Sequence, residues 1–179
     1  MTSLQIRSID LLVPCHNEEE SAAALLEALN TTIQSFQQPR DFTIHFNLII
    51  VDDGSSDQTC QRFEQLIKES KQIKQGSIIS LSRNFGKEAA MLAGLNHCEG
   101  DACIILDADL QDPPSLIPEM ISAWQEGYQV VNAVRHDRSS DSRLKRLSSE
   151  GFYSLFLKLS KLKVPVSYTH LTLPTKRIV

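Results

Sequence analysis

Short, dense apolar runs alternate with longer stretches whose apolar residues recur at helical spacing, and the alternation persists from residue 9 to residue 162. Ile9–Val13 predicts a first strand, stopped by Pro14. Ser21 to about Phe36 predicts a helix, with Ala24, Leu25, Ala28, Leu29, Ile33 and Phe36 at helical spacing. Glutamates crowd its start, where the helix dipole favours them. Phe42–Val51 predicts a second strand, and its closing run Leu48-Ile49-Ile50-Val51 suits a strand buried on both faces. The pattern continues with a helix over Asp57–Lys71, capped by Asp57 or Ser56, a strand over Ser77–Leu81 and a helix over Lys87–His97. A strand over Ala102–Leu106, a helix over Ser115–Gln125, a strand over Tyr128–Val134 and a long, broken helix over Asp141–Leu162 complete it.

Strands alternating with helices of ten or more residues predict an α/β fold, a Rossmann-like, mostly parallel sheet flanked by helices. In such sheets ligands collect at the carboxyl ends of the strands. Five polar clusters follow the five predicted strands: Pro14-Cys15-His16-Asn17-Glu18, Asp52 to Asp57, Ser82 to Lys87, Asp107-Ala108-Asp109, and Arg135 to Arg138. The topology gathers all five on one edge.

The fourth cluster is the most informative. An apolar strand delivers Asp107 and Asp109 to its own end, on the same side of the chain because strand side chains alternate, and Pro113-Pro114 follows shortly after. Two hard oxygen ligands there suit Mg²⁺ or Mn²⁺, which can neutralise a diphosphate. After the second strand, Asp53 can accept hydrogen bonds from a nucleobase edge or a ribose hydroxyl, while Gly54 permits a tight turn and Asp57 reads as helix capping. Pro14, Asn17 and Glu18 can wall a base pocket and bind ribose, although Glu18 equally suits a helix start. Arg83 and Lys87 bring positive charge beside Gly86 at a helix N-terminus. Arg135 offers a bidentate fork for a phosphate.

Composition narrows the class. With 41% hydrophobic and 22% charged residues over 179 positions, the chain suits one globular domain with a sizeable core. The net charge of −4 is uneven: residues 1–134 carry 8 Lys and Arg against 19 Asp and Glu, whereas 135–163 carry 8 against 3. An acidic body argues against a nucleic-acid partner and leaves room for a local anion site or contact with acidic lipid. Leu144–Leu162, with interleaved lysines, reads either as a helix packed on the sheet or as an interfacial helix on a membrane. Cys15, Cys60, Cys98 and Cys103 lack metal-ligand spacing and read as reduced thiols. No signal peptide is legible, and no run approaches the roughly 20 apolar residues of a spanning helix, so a soluble or peripheral cytosolic chain is expected. The first turn lacks G-x-G-x-x-G and no phosphate-binding G-x-x-x-x-G-K-[ST] occurs, which disfavours dinucleotide-binding and P-loop enzymes. The Asp pair comes too late for an Asp-x-Asp phosphatase, and a sugar nucleotidyltransferase expects a Gly-rich basic first loop.

Together these blocks resemble the family 2 glycosyltransferases with a GT-A fold, and more narrowly the dolichol-phosphate mannose synthase and bactoprenol glucosyl transferase branch. The matching blocks are Val13 to Glu19, Val51 to Asp57, Leu81 to Glu88, Asp107 to Pro114, and Arg135 with the basic run to Tyr153, covering about residues 8–163. The resemblance implies inverting transfer from a UDP- or GDP-sugar to a polyprenyl phosphate at the cytoplasmic side of the plasma membrane, the parent protein being membrane-anchored. It implies nucleotide and donor contacts from Pro14, Asn17, Glu18, Asp53, Ser55, Arg83, Asp107 and Ala108. It also implies a Mg²⁺ or Mn²⁺ on Asp107, Asp109 and Gln111, and catalytic parts for Asp109 and Arg135. A phosphate acceptor is already anionic and needs no general base, whereas a hydroxyl acceptor does, and Asp112 is the candidate for that part. Where such enzymes continue with a Gly-Asp-Phe-Arg-like segment and transmembrane helices, this sequence runs from Ser167 to Val179. That predicts a catalytic domain over 1–163 and an atypical tail over 164–179. The alternatives are a nucleotide-sugar-binding fragment without turnover and a family 2 transferase with a soluble or polysaccharide acceptor.

Overall fold

The computed structural model describes residues 5–133. β1 (Gln5–Cys15) leads through α1 (Ala22–Ser35) to β2 (Phe42–Asp52), then through α2 (Thr59–Glu69) to β3 (Gln75–Ser80). α3 (Lys87–Leu95) leads to β4 (Ala102–Ile105), and a 3-10 turn at Pro114–Leu116 opens α4 (Ile117–Gln125). The sheet order is β3-β2-β1-β4 and each neighbouring pair is parallel. The chain therefore builds outward from β1 to β3, then returns to set β4 on the other edge of β1. That reversal is a topological switch point, and a crevice opens at the carboxyl ends of β1 and β4.

Both faces of the sheet are covered, which explains the near-continuous apolar runs. Leu11, Val13, Leu48, Ile50 and Ile104 share one face by register and alternation, and Leu12, Ile49, Val51, Cys103 and Ile105 share the other; all are buried. α3 lies on the second face, where Ala90 joins the core and Met91 and Leu95 pack against it. Gly94 makes this close approach possible, because a Cβ there would lie 2.1 Å from Leu12 Cδ1 and 2.9 Å from Val51 Cγ2. Asp10, buried in β1, ties the opposite end of the sheet together. Its carboxylate accepts hydrogen bonds from Asn47 Nδ2 (2.8 Å), Glu99 N (2.8 Å) and Gly100 N (2.7 Å).

Two expectations are corrected. Pro14 does not stop β1, which runs to Cys15 with Pro14 in register with Val51. Leu12 O accepts from Leu106 N and Cys15 O from Asp53 N, so backbone alternation turns the missing Pro14 donor toward β4, whose strand has already ended. Tyr128–Val134 is not a strand as far as residue 133. Tyr128 and Val130 are exposed and the run pairs with no strand among the described residues, so its alternation has no sheet edge to cover. Val134, the helix expected over Asp141–Leu162 and the tail lie outside the described residues.

Candidate functional site

The loops after β1 and β2 are cross-braced. Asn17 adopts φ 55°, a left-handed conformation that Asn tolerates better than most residues. Its backbone N–H donates to Ser55 Oγ (2.8 Å), and its Oδ1 accepts from Ser56 N (2.8 Å). His16 Nδ1 lies 2.8 Å from Asp53 O and its Nε2 lies 3.2 Å from Asn17 Nδ2. A carbonyl only accepts, so the proton sits on Nδ1 and Nε2 accepts from the Asn17 amide. Glu18 N donates to Thr59 Oγ1 (2.8 Å), while its carboxylate accepts from Ser21 Oγ. The N-cap of α2 is Gln58 rather than Asp57 or Ser56, but Asp57, one residue earlier, still accepts from the first helical N–H, Thr59 N (3.0 Å), and from Glu19 N (3.3 Å). Asp52 is occupied by Ser55 and by Cys60 Sγ (3.1 Å).

Asp53 reaches across to the loop after β3. It is 3% exposed, and its two carboxylate oxygens accept from Phe85 N (2.7 Å) and Gly86 N (2.8 Å). Gly54 allows the two loops to touch: at φ 66°, a Cβ there would meet Arg83 C at 2.4 Å. Arg83 stacks its guanidinium over the Phe85 ring, 4.7 Å from the centroid. Beyond Gly86, α3 begins with Lys87, whose Nζ lies 2.5 Å from Asp107 Oδ1.

β4 ends at Ile105, so Asp107, half-buried, Ala108, buried, and Asp109, exposed, stand in the loop and turn beyond it, and strand alternation does not set their directions. Asp109 Oδ1 accepts from Gln111 N (3.0 Å) in a turn where Leu110 takes φ 59°. A cleft of about 280 Å³ opens between the ends of β1 and β4. Pro14, Glu18, Asp53, Asp107, Ala108 and Asp109 line it together, as the sequence places them. Asn17, Ser55, Arg83 and Gln111 are not in its wall; the first two brace loops and Arg83 stacks on Phe85. Asp112 is buried outside the wall, and Arg135 lies outside the described residues.

Sequence reasoning did not single out Cys15, His16, Asn84 or Ala90 as wall residues. Ala90 had a signal, since it falls one helical turn beyond Gly86. Cys15 had none, because its position depends on β1 passing through Pro14. Burial, reinforced by the charge of Asp52, pushes the Cys15 thiol well above its ordinary range, and its Sγ donates to Val51 O (3.6 Å). It is therefore a neutral wall group rather than a nucleophile.

Glu18, Asp53, Asp107 and Asp109 face the cleft with Lys87 as the cation among its lining residues. Such an acidic wall repels a diphosphate unless a cation accompanies it. Among the described residues no three His, Cys, Asp or Glu side chains gather around one point. Asp107 and Asp109 are hard oxygen donors of the kind Mg²⁺ or Mn²⁺ takes, and two side chains alone do not complete the shell of such an ion.

The sequence matches the family model Glycosyl transferase family 2 over residues 10–177. It is 38% identical over 171 residues to a bactoprenol glucosyl transferase of Shigella phage SfV, covering 96% of this chain and 53% of that one. It is 37% identical over 156 residues to an undecaprenyl-phosphate 4-deoxy-4-formamido-L-arabinose transferase of Proteus mirabilis, covering 86% of this chain and 44% of that one. The chain thus spans about half the length of these curated relatives. Among solved structures, glucosyl-3-phosphoglycerate synthase from Mycobacterium tuberculosis, in complex with Mn²⁺, UDP-glucose and phosphoglyceric acid, superposes with a TM-score of 0.62. The identity is 21%, covering 94% of this chain and 57% of that one. A mannosyltransferase from Pyrobaculum calidifontis in complex with GDP-Man and Mn²⁺ gives 0.58 at 21% identity, covering 93% and 44%. The fold is the GT-A arrangement expected from the sequence.

Proposed function

The chain belongs to glycosyl transferase family 2, and from that premise we propose that its cleft binds a UDP- or GDP-sugar for inverting transfer to a polyprenyl phosphate. The convergence of Pro14, Glu18, Asp53, Asp107, Ala108 and Asp109 on one cleft at the switch point carries this reading. The acceptor class is supported by relatives named for bactoprenol and undecaprenyl phosphate.

In this reading Pro14, Glu18 and Asp53 border the nucleoside. Asn17 and Ser55 act through the loop they hold in shape. Asp107 and Asp109, with Gln111, would hold a Mg²⁺ or Mn²⁺, whose chemistry when bound is to neutralise charge on the diphosphate. The acceptor phosphate enters already ionised, so the chain's task is to align it behind the anomeric carbon and keep the leaving group in place. No general base is required, which fits the absence of Asp112 from the cleft wall. Arg135 faces a phosphate in this scheme. Catalysis by a domain over 1–163, at the cytoplasmic face of a membrane, belongs to the same proposal. Among the described residues no helix is long and apolar enough to cross a membrane.

The test is transfer of labelled sugar from UDP-glucose or GDP-mannose to undecaprenyl phosphate in detergent, read as label entering the organic phase. Transfer that requires the divalent ion and disappears in Asp109→Asn supports the proposal. Transfer to a water-soluble acceptor alone contradicts the lipid assignment.

A further inference from the structure

Lys87 stands out because it is bonded to one of the two carboxylates assigned to the metal. Its Nζ lies 2.5 Å from Asp107 Oδ1, and both residues line the cleft. The backbone beneath it is fixed: Gly86 N donates to Asp53 Oδ2, and Gly86 O accepts from Ala90 N at 3.1 Å. The side chain is not fixed in the same way. It is 53% exposed on a flexible four-carbon stem, and ion pairs of that kind are weakly held. The ammonium is thus anchored at its root and free to exchange partners at its tip.

Charge gives the exchange a direction. Among the described residues, four carboxylates and one ammonium line the cleft. Without a metal, Lys87 is the group that offsets Asp107, and a divalent ion approaching Asp107 meets that positive charge first. Once the ion and a diphosphate are present, the ammonium has lost one anionic partner and gained another within the same cleft.

We propose that Lys87 is an exchangeable counter-ion: it holds Asp107 while no divalent ion is bound, and moves to the donor diphosphate when the ion takes Asp107. The consequence is ordered loading, with metal alone binding weakly and metal plus nucleotide binding well. This rests on the assignment of Asp107 and Asp109 to the metal.

The test is calorimetric titration of the full chain with Mn²⁺ alone, and with UDP or GDP both without Mn²⁺ and in saturating Mn²⁺, for wild type, Lys87→Met and Lys87→Arg. Lys87→Met is expected to bind Mn²⁺ alone about tenfold more tightly and the nucleotide about tenfold more weakly, the scale of one unit charge near a protein surface. Lys87→Arg, which keeps the charge, stays close to wild type on both. Unchanged or weaker Mn²⁺ binding in Lys87→Met overturns the proposal, as does tighter Mn²⁺ binding with unaltered nucleotide affinity. If wild type binds both nucleotides as well without Mn²⁺ as with it, the metal assignment itself fails, and that failure is visible without either variant.

Discussion

Asp53 holds Gly86: the carboxylate Oδ2 of the first accepts from the backbone N–H of the second at 2.8 Å, while Oδ1 takes Phe85 N at 2.7 Å. A buried acid at the end of one strand therefore shapes the loop after the next. Asp53→Asn leaves an amide NH₂ facing one of two backbone donors, and the unmet bond costs about 1–3 kcal/mol. Urea denaturation should show that loss of stability, and nucleotide binding should weaken with it. An Asp53→Asn variant as stable as wild type would show that the loop does not depend on these bonds.

Gly54 predicts a second sensitivity. Gly54→Ala puts a Cβ 2.4 Å from Arg83 C at a φ of 66°, so both sterics and backbone conformation oppose it. The left-handed conformation alone costs about 1–2 kcal/mol, and the clash displaces the loop that carries Asn84 and Gly86. A lower melting temperature and weaker nucleotide binding are expected together.

Asp10 separates stability from the cleft. Asp10→Ala strands Asn47 Nδ2, Glu99 N and Gly100 N at the far end of the sheet. A loss of about 1–3 kcal/mol is expected by urea denaturation, because the three donors are only partly buried and water can take up part of what the carboxylate supplied. Nucleotide affinity, measured below the unfolding transition, should stay at the wild-type value.

Asp57 predicts an acid dependence. Desolvation raises its carboxyl, but hydrogen bonds from the Thr59 hydroxyl and N–H and from Glu19 N–H prevail and hold it below the ordinary 3.8. A group lowered on folding stabilises fully above its unfolded value, and that stabilisation is lost as pH falls through the folded one. Melting curves should therefore show wild type above Asp57→Ala at neutral pH, with the gap narrowing below about pH 4. A gap constant down to pH 2 would contradict a stabilising role for these hydrogen bonds to Asp57.

Much of this arrangement was legible in residue order. Leu48-Ile49-Ile50-Val51 reads as a strand buried on both faces, and strand–helix alternation by itself puts Pro14, Asp53 and Asp107 on one edge. The limits were physical. Pro14 breaks a strand only where a partner needs its missing N–H, and the sequence does not say where β4 ends. Tyr128 to Ala133 alternates like a strand, but alternation creates a strand only where an edge accepts it. Asn17 and Ser55 carry the polar groups of binding residues, yet use them on each other's loops. Their partners lie some 40 residues away in sequence, beyond the reach of local pattern.

The central claim is a metal-assisted nucleotide site at the ends of β1 and β4. Its most direct test is calorimetric titration of the chain with UDP and with GDP, each with and without Mn²⁺, beside Asp107→Asn and Asp109→Asn. Binding of one nucleotide that requires Mn²⁺ and is lost in both variants is the predicted result. Nucleotide binding that ignores Mn²⁺ and survives both substitutions would contradict it.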